Sequence, residues 1–206
     1  CTYGYLIPSN MFAVTVLGYL EKIERKIYGN GEIAEAAKAL KEEVHTAIET
    51  IGKTFTEEFG MVYAYETDGF GMYNLMDDAN VPSLLAMNYL GYPSDKEVEA
   101  NTRRLLLSEA NPFYFKGAKA AGIGSPHTPS NYIWHIAMAV QGLTTGDREE
   151  KRRILENMAA TTGGKGVMHE GFCCEDDTRY TREWFSWANA MYAELFLNYL
   201  GYTLDK

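Results

Sequence analysis

Apolar positions along the chain follow two alternating patterns. In the first, a helix-length segment is apolar almost all round, which predicts a helix that is covered on several sides. In the second, charged residues surround a single apolar stripe, which predicts a helix with one face in water. The first pattern occurs at residues 10–20, 81–90, 131–143 and 184–200. The second occurs at residues 32–55, 94–110 and 147–161.

The alternation of the two helix types favours an all-α fold, a double ring with apolar helices inside and striped helices outside. A layered bundle or a helical solenoid is the alternative. The sequence NYLGY ends an apolar segment twice, at residues 88–92 and 198–202, as a repeated hairpin unit would. Residues 61–66 have the composition of a strand and predict a short β element within a loop.

The number of predicted helices bears on domain organisation. A closed ring of six helical hairpins contains twelve helices, and the pattern predicts about seven. We therefore expect residues 1–206 to form a single toroid domain that lacks its N-terminal half. The chain begins at Cys1 with no preceding Met, so we also expect its natural start to lie upstream.

Composition and charge exclude several classes of protein. The 206 residues are 46 % hydrophobic and 13 % aromatic, which is sufficient for a large core. A net charge of −9 argues against a nucleic-acid partner, because phosphate binding needs a basic surface. No apolar run in the sequence approaches the ~20 residues of a membrane helix. Three cysteines, two of them adjacent, do not make a disulfide framework, and thiols of this kind favour a cytoplasmic location. Oligomeric state does not follow from these quantities.

Polar and aromatic residues precede each of the apolar segments. If alternate helices form an inner ring, they run in the same direction, and their N-terminal loops open at one mouth. The loops at the opposite end are short and carry few unusual groups, so we expect the site at this mouth. The candidate residues are Asn10, Asp77, Asp78, Asn80, His127, Thr128, His169, Glu170, Arg182 and Trp184.

Several of these candidates also have a purely structural interpretation. Asp77 and Asp78 could cap a helix and favour its positive end. His127 could be an ordinary loop residue, and His135, which lies among apolar residues, is predicted to be a hydrogen-bonded core histidine. Of the aromatic residues around Trp184, we expect at least two to belong to the core and one to line the pocket.

Three kinds of chemistry can be considered for these loops. Metal binding by zinc is disfavoured, because HEGF is not HExxH and the adjacent cysteines are not CxxC. The DDAN sequence at 77–80 could hold Mg²⁺, but no basic cluster accompanies it to bind a diphosphate. Carboxylates among aromatic rings suit carbohydrates, since glycosidic cleavage needs one acid and one carboxylate that activates water or attacks the sugar. Glu170, between His169 and the apolar Met168 and Phe172, is the best single carboxylate for that role.

Several segments taken together resemble glycoside hydrolase family 125. These segments are LIPSNMFAV, MDDANVPSLL, GIGSPHTP, IWHIAMAVQGLT, MHEGF and TREWFSWANAMYAEL. The resemblance implies an (α/α)6 toroid and an inverting, metal-independent exo-α-1,6-mannosidase that needs no cofactor. It places the general base at Glu170 and the general acid in an Asp pair upstream of Cys1. Taken alone, this chain should therefore be inactive.

The resemblance also bears on substrate binding. It implies that Asp77 and Asp78 bind mannose hydroxyls or support the pocket, with Asn80 and His127 beside them. Many family members have Ser where this chain has Gly171, which is a departure from the pattern. The implied partner is a mannose-containing oligosaccharide. The alternative is a non-catalytic helical module that binds glycans or a protein through the same mouth.

Overall fold

The computed structural model describes residues 1–202, and their backbone forms six α-helices joined by short strands and turns. The helices are α1 Ile7–Ile23, α2 Gly31–Ile51, α3 Lys96–Leu106, α4 His135–Leu143, α5 Arg148–Ala160 and α6 Ser186–Tyr199. A π-helical segment, Glu24–Tyr28, extends α1. The strands are β1 Tyr5–Leu6, β2 Lys53–Thr56, β3 Gly60–Tyr63, β4 Glu66–Thr67, β5 Tyr73–Asn74, β6 Tyr114–Lys116, β7 Ala121–Ile123, β8 Tyr132–Trp134, β9 Gly171–Cys173 and β10 Asp176–Thr181. They pair in four small antiparallel sheets, so the description all-α is too narrow.

The helix predicted at residues 81–90 is absent from the described structure. The amides of Ala86 and Met87 donate to carbonyls three residues earlier, those of Ser83 and Leu84, which makes successive turns rather than an α-helix. The Ser83 hydroxyl also accepts the Ala86 N–H at 3.2 Å. Side-chain acceptors of this kind compete with helical hydrogen bonds, and the apolar pattern alone could not reveal that competition.

Two other predicted helices are shorter than expected, because part of each segment is a strand. In 131–143, residues Tyr132–Trp134 pair with β9, and the helix begins only at His135. In 32–55, Gly52 ends α2 and Lys53–Thr56 pairs with β3. Aromatic and β-branched residues fit a paired strand well, and a cross-strand partner decided the outcome.

The chain divides into two compact units, of which the first comprises residues 1–75 and 82–105. Helices α1 and α2 form a hairpin, and Lys41 Nζ lies 2.7 Å from Glu21 Oε2 across it. Asn30 caps α2 by accepting the Ile33 N–H at 3.2 Å. The side chains that these two helices bury are those of Ile7, Pro8, Met11, Val14, Ala34, Ala37 and Ile48.

The second unit comprises residues 76–81 and the chain from Leu106 onward, and its core surrounds α4. A Cβ on Gly142 would lie 2.7 Å from Leu195 Cδ2, so this glycine allows α4 and α6 to pack closely. Asp147 caps α5 by accepting the Glu149 N–H at 2.8 Å. The buried side chains of this core include those of Ile133, Met138, Ala139, Ile154, Leu155, Met158, Phe172, Ala188 and Leu195.

The three apolar helices that formed differ greatly in burial. Almost every residue of α4 is buried, whereas α6 buries only Ala188 and Leu195. Large apolar side chains on α1 and α6 remain exposed within the described chain. They are Phe12, Val16, Tyr19, Leu20, Ile23, Trp187, Phe196 and Leu197. No helix within residues 1–202 is both long enough and apolar enough to span a bilayer.

Candidate active site

A cleft of about 620 Å³ in the second unit combines charged, polar and aromatic side chains. It collects residues from segments that are far apart in sequence, those around positions 80, 127, 134, 170 and 185. The lining residues are Asn80, His127, Trp134, Glu170, Arg182, Phe185 and Trp187. The loops that precede three of the predicted apolar helices therefore do meet at one place.

The sheet formed by β8, β9 and β10 positions Glu170 in this cleft. Gly171, the first residue of β9, pairs with Trp134 on one side and Thr181 on the other. Glu170 precedes it, and its N–H lies 3.3 Å from the Thr181 carbonyl oxygen and 3.4 Å from that of Arg182. The carboxylate is thus carried by the end of a paired strand rather than by a free loop.

Gly171 allows an aromatic ring to lie directly beside the backbone of Glu170. A Cβ at this position would be 3.0 Å from Trp134 Cδ1 and 3.4 Å from Thr181 Oγ1. The first of these distances is closer than ordinary van der Waals contact, so a larger residue would displace the indole. The absence of a side chain at Gly171 therefore shapes the cleft wall beside Glu170.

Arg182 is the cation that faces the Glu170 carboxylate. Its Nε lies 3.3 Å from Glu170 Oε1, and the Glu170 side chain is 14 % exposed while that of Arg182 is 66 % exposed. The Arg182 guanidinium also lies 5.8 Å from the centre of the Phe185 ring. Arg182 has φ 43°, a left-handed conformation that non-glycine residues rarely adopt. Such strain is found disproportionately at functional sites.

Asp78 and His127 form a second polar pair at the cleft. Asp78 is buried; its Oδ1 accepts the Asn80 N–H at 3.1 Å, and its Oδ2 lies 3.8 Å from His127 Nε2. The Ala79 N–H donates to the Gly124 carbonyl oxygen at 3.0 Å, which joins the two loops through the backbone. Asp78 therefore supports exposed residues of the lining from behind.

Thr128 contributes by holding a lining residue. Its Oγ1 accepts the Trp134 Nε1–H at 3.0 Å. The same hydroxyl donates to the Ser125 carbonyl oxygen at 3.3 Å, which closes the turn that carries His127. Thr128 thus links the His127 loop to the indole beside Glu170.

Besides Asp78 and Thr128, four of the sequence-predicted residues lie outside the lining. Asp77 and His169 are fully buried, and the Asp77 N–H donates to Asn111 Oδ1 at 3.3 Å. Trp184 is 65 % exposed but does not contribute to the cleft. Asn10 belongs to the first unit, where its Nδ2 donates to the Leu6 carbonyl oxygen at 2.8 Å beside an apolar groove of about 280 Å³.

Sequence reasoning did not single out three aromatic residues of the lining. The apolar pattern places Trp134 within a helix at 131–143, whereas it ends strand β8 and faces Phe185 edge-on at 6.3 Å. Phe185 and Trp187 line the cleft together, where one pocket aromatic was expected from this cluster. Phe185 has an extended backbone immediately before α6 and Trp187 lies in the first turn of that helix, and the spacing of the aromatic residues did not mark this boundary.

The cysteines and acids that follow Glu170 have structural roles. Cys173 and Cys174 are buried thiols, and burial raises the pKa of Cys174. A hydrogen bond from Lys119 at 2.8 Å holds the pKa of Asp177 below its usual value. Within residues 1–202, no three or more His, Cys, Asp or Glu side chains group as a metal site would require.

Comparison with known proteins finds a matching family, a related protein and a similar solved structure. Residues 1–197 match the family described as metal-independent α-mannosidases, GH125. The meiotically up-regulated gene 157 protein of Schizosaccharomyces pombe is 41 % identical over 202 residues, covering 97 % of this chain and 40 % of that protein. A solved metal-independent α-mannosidase from Streptococcus pneumoniae, in a non-productive complex with α-1,6-mannobiose, has a TM-score of 0.95 and 49 % identity. That alignment covers 98 % of this chain and 48 % of that structure. The chain therefore spans less than half the length of either relative.

Proposed function

Because the chain belongs to glycoside hydrolase family 125, we propose that the cleft of its second unit cleaves terminal mannose from α-mannosides. The observation that carries the proposal is the position of Glu170 and the set of groups that contact it. Its carboxylate lies on the cleft wall beside aromatic rings, and its backbone is held by a paired strand. Among residues 1–202 it has Arg182 as its ion-pair partner, so acceptor positions remain for a water molecule. The mannobiose complex of the relative supports an α-1,6-linked substrate.

In the proposed mechanism Glu170 is the general base of an inverting reaction. It removes a proton from a water molecule as the water attacks the anomeric carbon, on the face opposite the departing oxygen. A second carboxyl group gives its proton to that oxygen, and inverting enzymes separate the two groups by roughly 6.5–9.5 Å to leave room for the water. Of the described residues that line the cleft, Glu170 alone is a carboxylate. We propose that the acid comes from upstream of Cys1, as the family resemblance implies.

The remaining lining residues suit sugar recognition. Asn80, His127 and Arg182 offer side-chain nitrogen donors to mannose hydroxyls, and Asp78 orients the first two. The rings of Trp134, Phe185 and Trp187 provide apolar surface for the C–H faces of the sugar. Asp77, Thr128 and His169 act from behind this lining, by holding the loops that carry it.

The exposed faces of α1 and α6 support a larger fold. Contiguous apolar surface on this scale is usually covered by another protein surface. We propose that the chain is the C-terminal part of one (α/α)6 toroid domain, in which further helices pack against these two faces. On this proposal the chain alone has a cleft but no complete catalytic pair, and it is inactive by itself.

The test is hydrolysis of α-1,6-mannobiose by the longest natural polypeptide that contains these residues. The anomer formed first is identified by proton NMR before the product equilibrates. Inversion predicts β-mannose first and a rate that EDTA does not change. Appearance of α-mannose first would contradict the general-base role, and the absence of hydrolysis would contradict the proposed activity.

A longer oligosaccharide and a binding measurement complete the test. An exo-acting enzyme releases mannose one residue at a time from the non-reducing end, whereas early oligosaccharide fragments would indicate internal cleavage. Titration calorimetry with the same sugars distinguishes the glycan-binding alternative. Binding without turnover by the longest polypeptide would favour that alternative.

A further inference from the structure

Two buried imidazoles lie directly behind Glu170. His169 precedes it in sequence, and His135 is the first residue of α4. Both side chains are fully buried, with ring centres 5.7 Å apart. Neither lines the cleft, and the proposed mechanism uses neither as a reacting group.

Hydrogen-bond accounting assigns the tautomer of His135. The His169 N–H donates to His135 Nδ1 at 3.0 Å, so this nitrogen carries no proton. Nε2 then holds the proton and donates to Thr161 Oγ1 at 3.0 Å, while the Thr161 hydroxyl donates to the Asn157 carbonyl oxygen at 2.7 Å. The opposite tautomer would donate from Nδ1 to the His169 carbonyl oxygen, 3.2 Å away. It would lose the shorter bond from the His169 N–H, and Nε2 could accept only if the Thr161 hydroxyl gave up its bond to the Asn157 carbonyl oxygen. Neutral His135 protonated at Nε2 keeps both the bond from the His169 N–H and the bond from Thr161 to Asn157, and we assign that tautomer.

His169 is held through its ring as well as its backbone. Its Nδ1 lies 2.5 Å from the Glu183 carbonyl oxygen and must donate, because the carbonyl can only accept. The ring stacks on Tyr180 with centres 3.9 Å apart. His169 thereby ties the backbone before Glu170 to the segment that carries Arg182 and Phe185 into the cleft.

The bonds made by Glu170 itself are weaker than those made by its neighbour. Its own N–H is shared between two carbonyl oxygens at 3.3 and 3.4 Å, beyond the usual range for an N–H···O bond. The bond from the His169 N–H to His135 is shorter, at 3.0 Å, and joins two fully buried residues. The direction of the Glu170 side chain therefore depends on where His135 places residue 169.

We infer that His135 is a positioning residue for Glu170, acting through the buried bond from the His169 N–H to His135 Nδ1. The inference rests on the proposed function of Glu170 and extends it to a residue that makes no contact with the cleft. It predicts that loss of the Nδ1 acceptor lowers kcat and leaves KM nearly unchanged, because the lining that binds the sugar is intact. Misplacement of a reacting group by about 1 Å can cost about 100-fold in rate.

Two amide substitutions distinguish the roles of the two ring nitrogens of His135, Nδ1 and Nε2. In His135→Asn the side-chain oxygen takes the position of Nδ1 and can still accept the His169 N–H. In His135→Gln the amide reaches the position of Nε2 and Thr161, and no acceptor remains at Nδ1. Both variants are neutral and lose the ring, so they are matched for lost stacking on Phe172. Each is measured for kcat, KM and melting temperature in the longest natural polypeptide that contains the chain.

The expected result is a kcat about 10- to 100-fold lower for His135→Gln, with KM within about twofold and with most of the rate retained by His135→Asn. Equal losses of kcat in the two variants would overturn the inference. So would losses that follow the fall in melting temperature, or an effect confined to KM. A changed pH dependence of kcat in His135→Asn relative to the wild type would also contradict it, because His135 is assigned a neutral, non-titrating role.

A second pair of variants keeps the test decisive if the first pair does not fold. Thr161→Val removes the acceptor that fixes the proton on His135 Nε2, whereas Thr161→Ser keeps the hydroxyl. We expect the valine variant to lower kcat by several-fold and the serine variant to resemble the wild type; identical kinetics in both would overturn the inference. Failure of the proposed function can be told apart from failure of this inference, because the wild-type protein would then not hydrolyse α-mannosides at all.

Discussion

Glu49 in the first unit and Glu170 in the second are both half-buried carboxylates with an adjacent cation, but their acceptor positions are used differently. Glu49 Oε1 accepts the hydroxyl protons of Tyr63 at 2.9 Å and Tyr92 at 2.7 Å, and Lys53 Nζ lies 2.8 Å from Oε2. Glu170 has an ion-pair contact with the exposed Arg182 at 3.3 Å. A carboxylate whose two oxygens already bind protein donors holds a fold together, whereas one with acceptor positions directed at a cleft is available for chemistry.

The surroundings of the two carboxylates differ in the same way. Burial acts to raise the pKa of Glu49, but hydrogen bonds from Lys53, Tyr92 and Tyr63 outweigh it and hold that pKa below its usual value. Burial and the contact with Glu49 raise the pKa of both tyrosines. Around Glu170 the support is indirect and comes from the buried pair His169 and His135. Direct bonds stabilise Glu49, and bonds to the backbone orient Glu170.

The largest expected effect is the loss of activity on replacing Glu170. In Glu170→Gln the amide cannot take a proton from water, so kcat should fall about 10²- to 10⁴-fold. The melting temperature should change little, because glutamine keeps the shape of the side chain and the lost ion pair is with the exposed Arg182. Such partly solvated pairs contribute at most about 1 kcal/mol. Steady-state kinetics on α-1,6-mannobiose and calorimetry measure the two quantities. A variant that keeps its rate would remove Glu170 from the mechanism.

A smaller effect is expected in the pH dependence of stability, through His135. Burial lowers the pKa of His135 to about 3, from an ordinary value of 6.5. Between these values the unfolded chain binds a proton that the folded protein does not, so stability falls as pH decreases. For this one group the loss is about 2 kcal/mol at pH 5 relative to pH 8. Denaturant unfolding at both pH values should show the loss in wild type, reduced in His135→Asn; an equal loss in both would contradict it.

Replacing Glu49 should produce the reverse of the Glu170 result. Glu49→Gln removes the charge to which Lys53 and two tyrosine hydroxyls bond, and we expect about 1–2 kcal/mol lower stability. Because the pKa of Glu49 is lowered in the folded state, this contribution is present above its unfolded pKa and is lost as the solution is acidified below about pH 4.5. Glu42→Gln, on an exposed position of the same helix, is the matched control and should change stability little. Equal effects of the two variants would show that the Glu49 bonds do not stabilise the fold.

The smallest expected effect concerns the strained backbone at Arg182. Glycine adopts φ 43° without the steric cost that other residues incur, so Arg182→Gly should be more stable than Arg182→Ala by about 1 kcal/mol. Both variants lose the guanidinium beside Glu170, and their kinetic defects should therefore match. Thermal unfolding of the two proteins provides the measurement. Equal melting temperatures would show that the backbone relaxes and that no strain is stored beside the carboxylate.

Local signals in the sequence predicted part of this site. MHEGF pointed to Glu170 through its flanking apolar residues, and the MDDAN and PHTP loops were expected at the same mouth. The structure does join Asn80, His127 and Glu170 in one cleft. Asp77 and His169 are buried instead of lining the cleft. The sequence shows the type of each residue but not the side of the backbone on which its side chain lies, so it could not separate these two from the lining residues.

The apolar pattern by itself determined where most helices lie. Periodicity is a local property, and α1, α3, α5 and α6 follow it closely. Only the tertiary structure decided that Trp134 ends a strand and that His135 holds the residue before Glu170. Each of these outcomes depends on a partner far along the chain, and spacing within one segment carries no information about that partner.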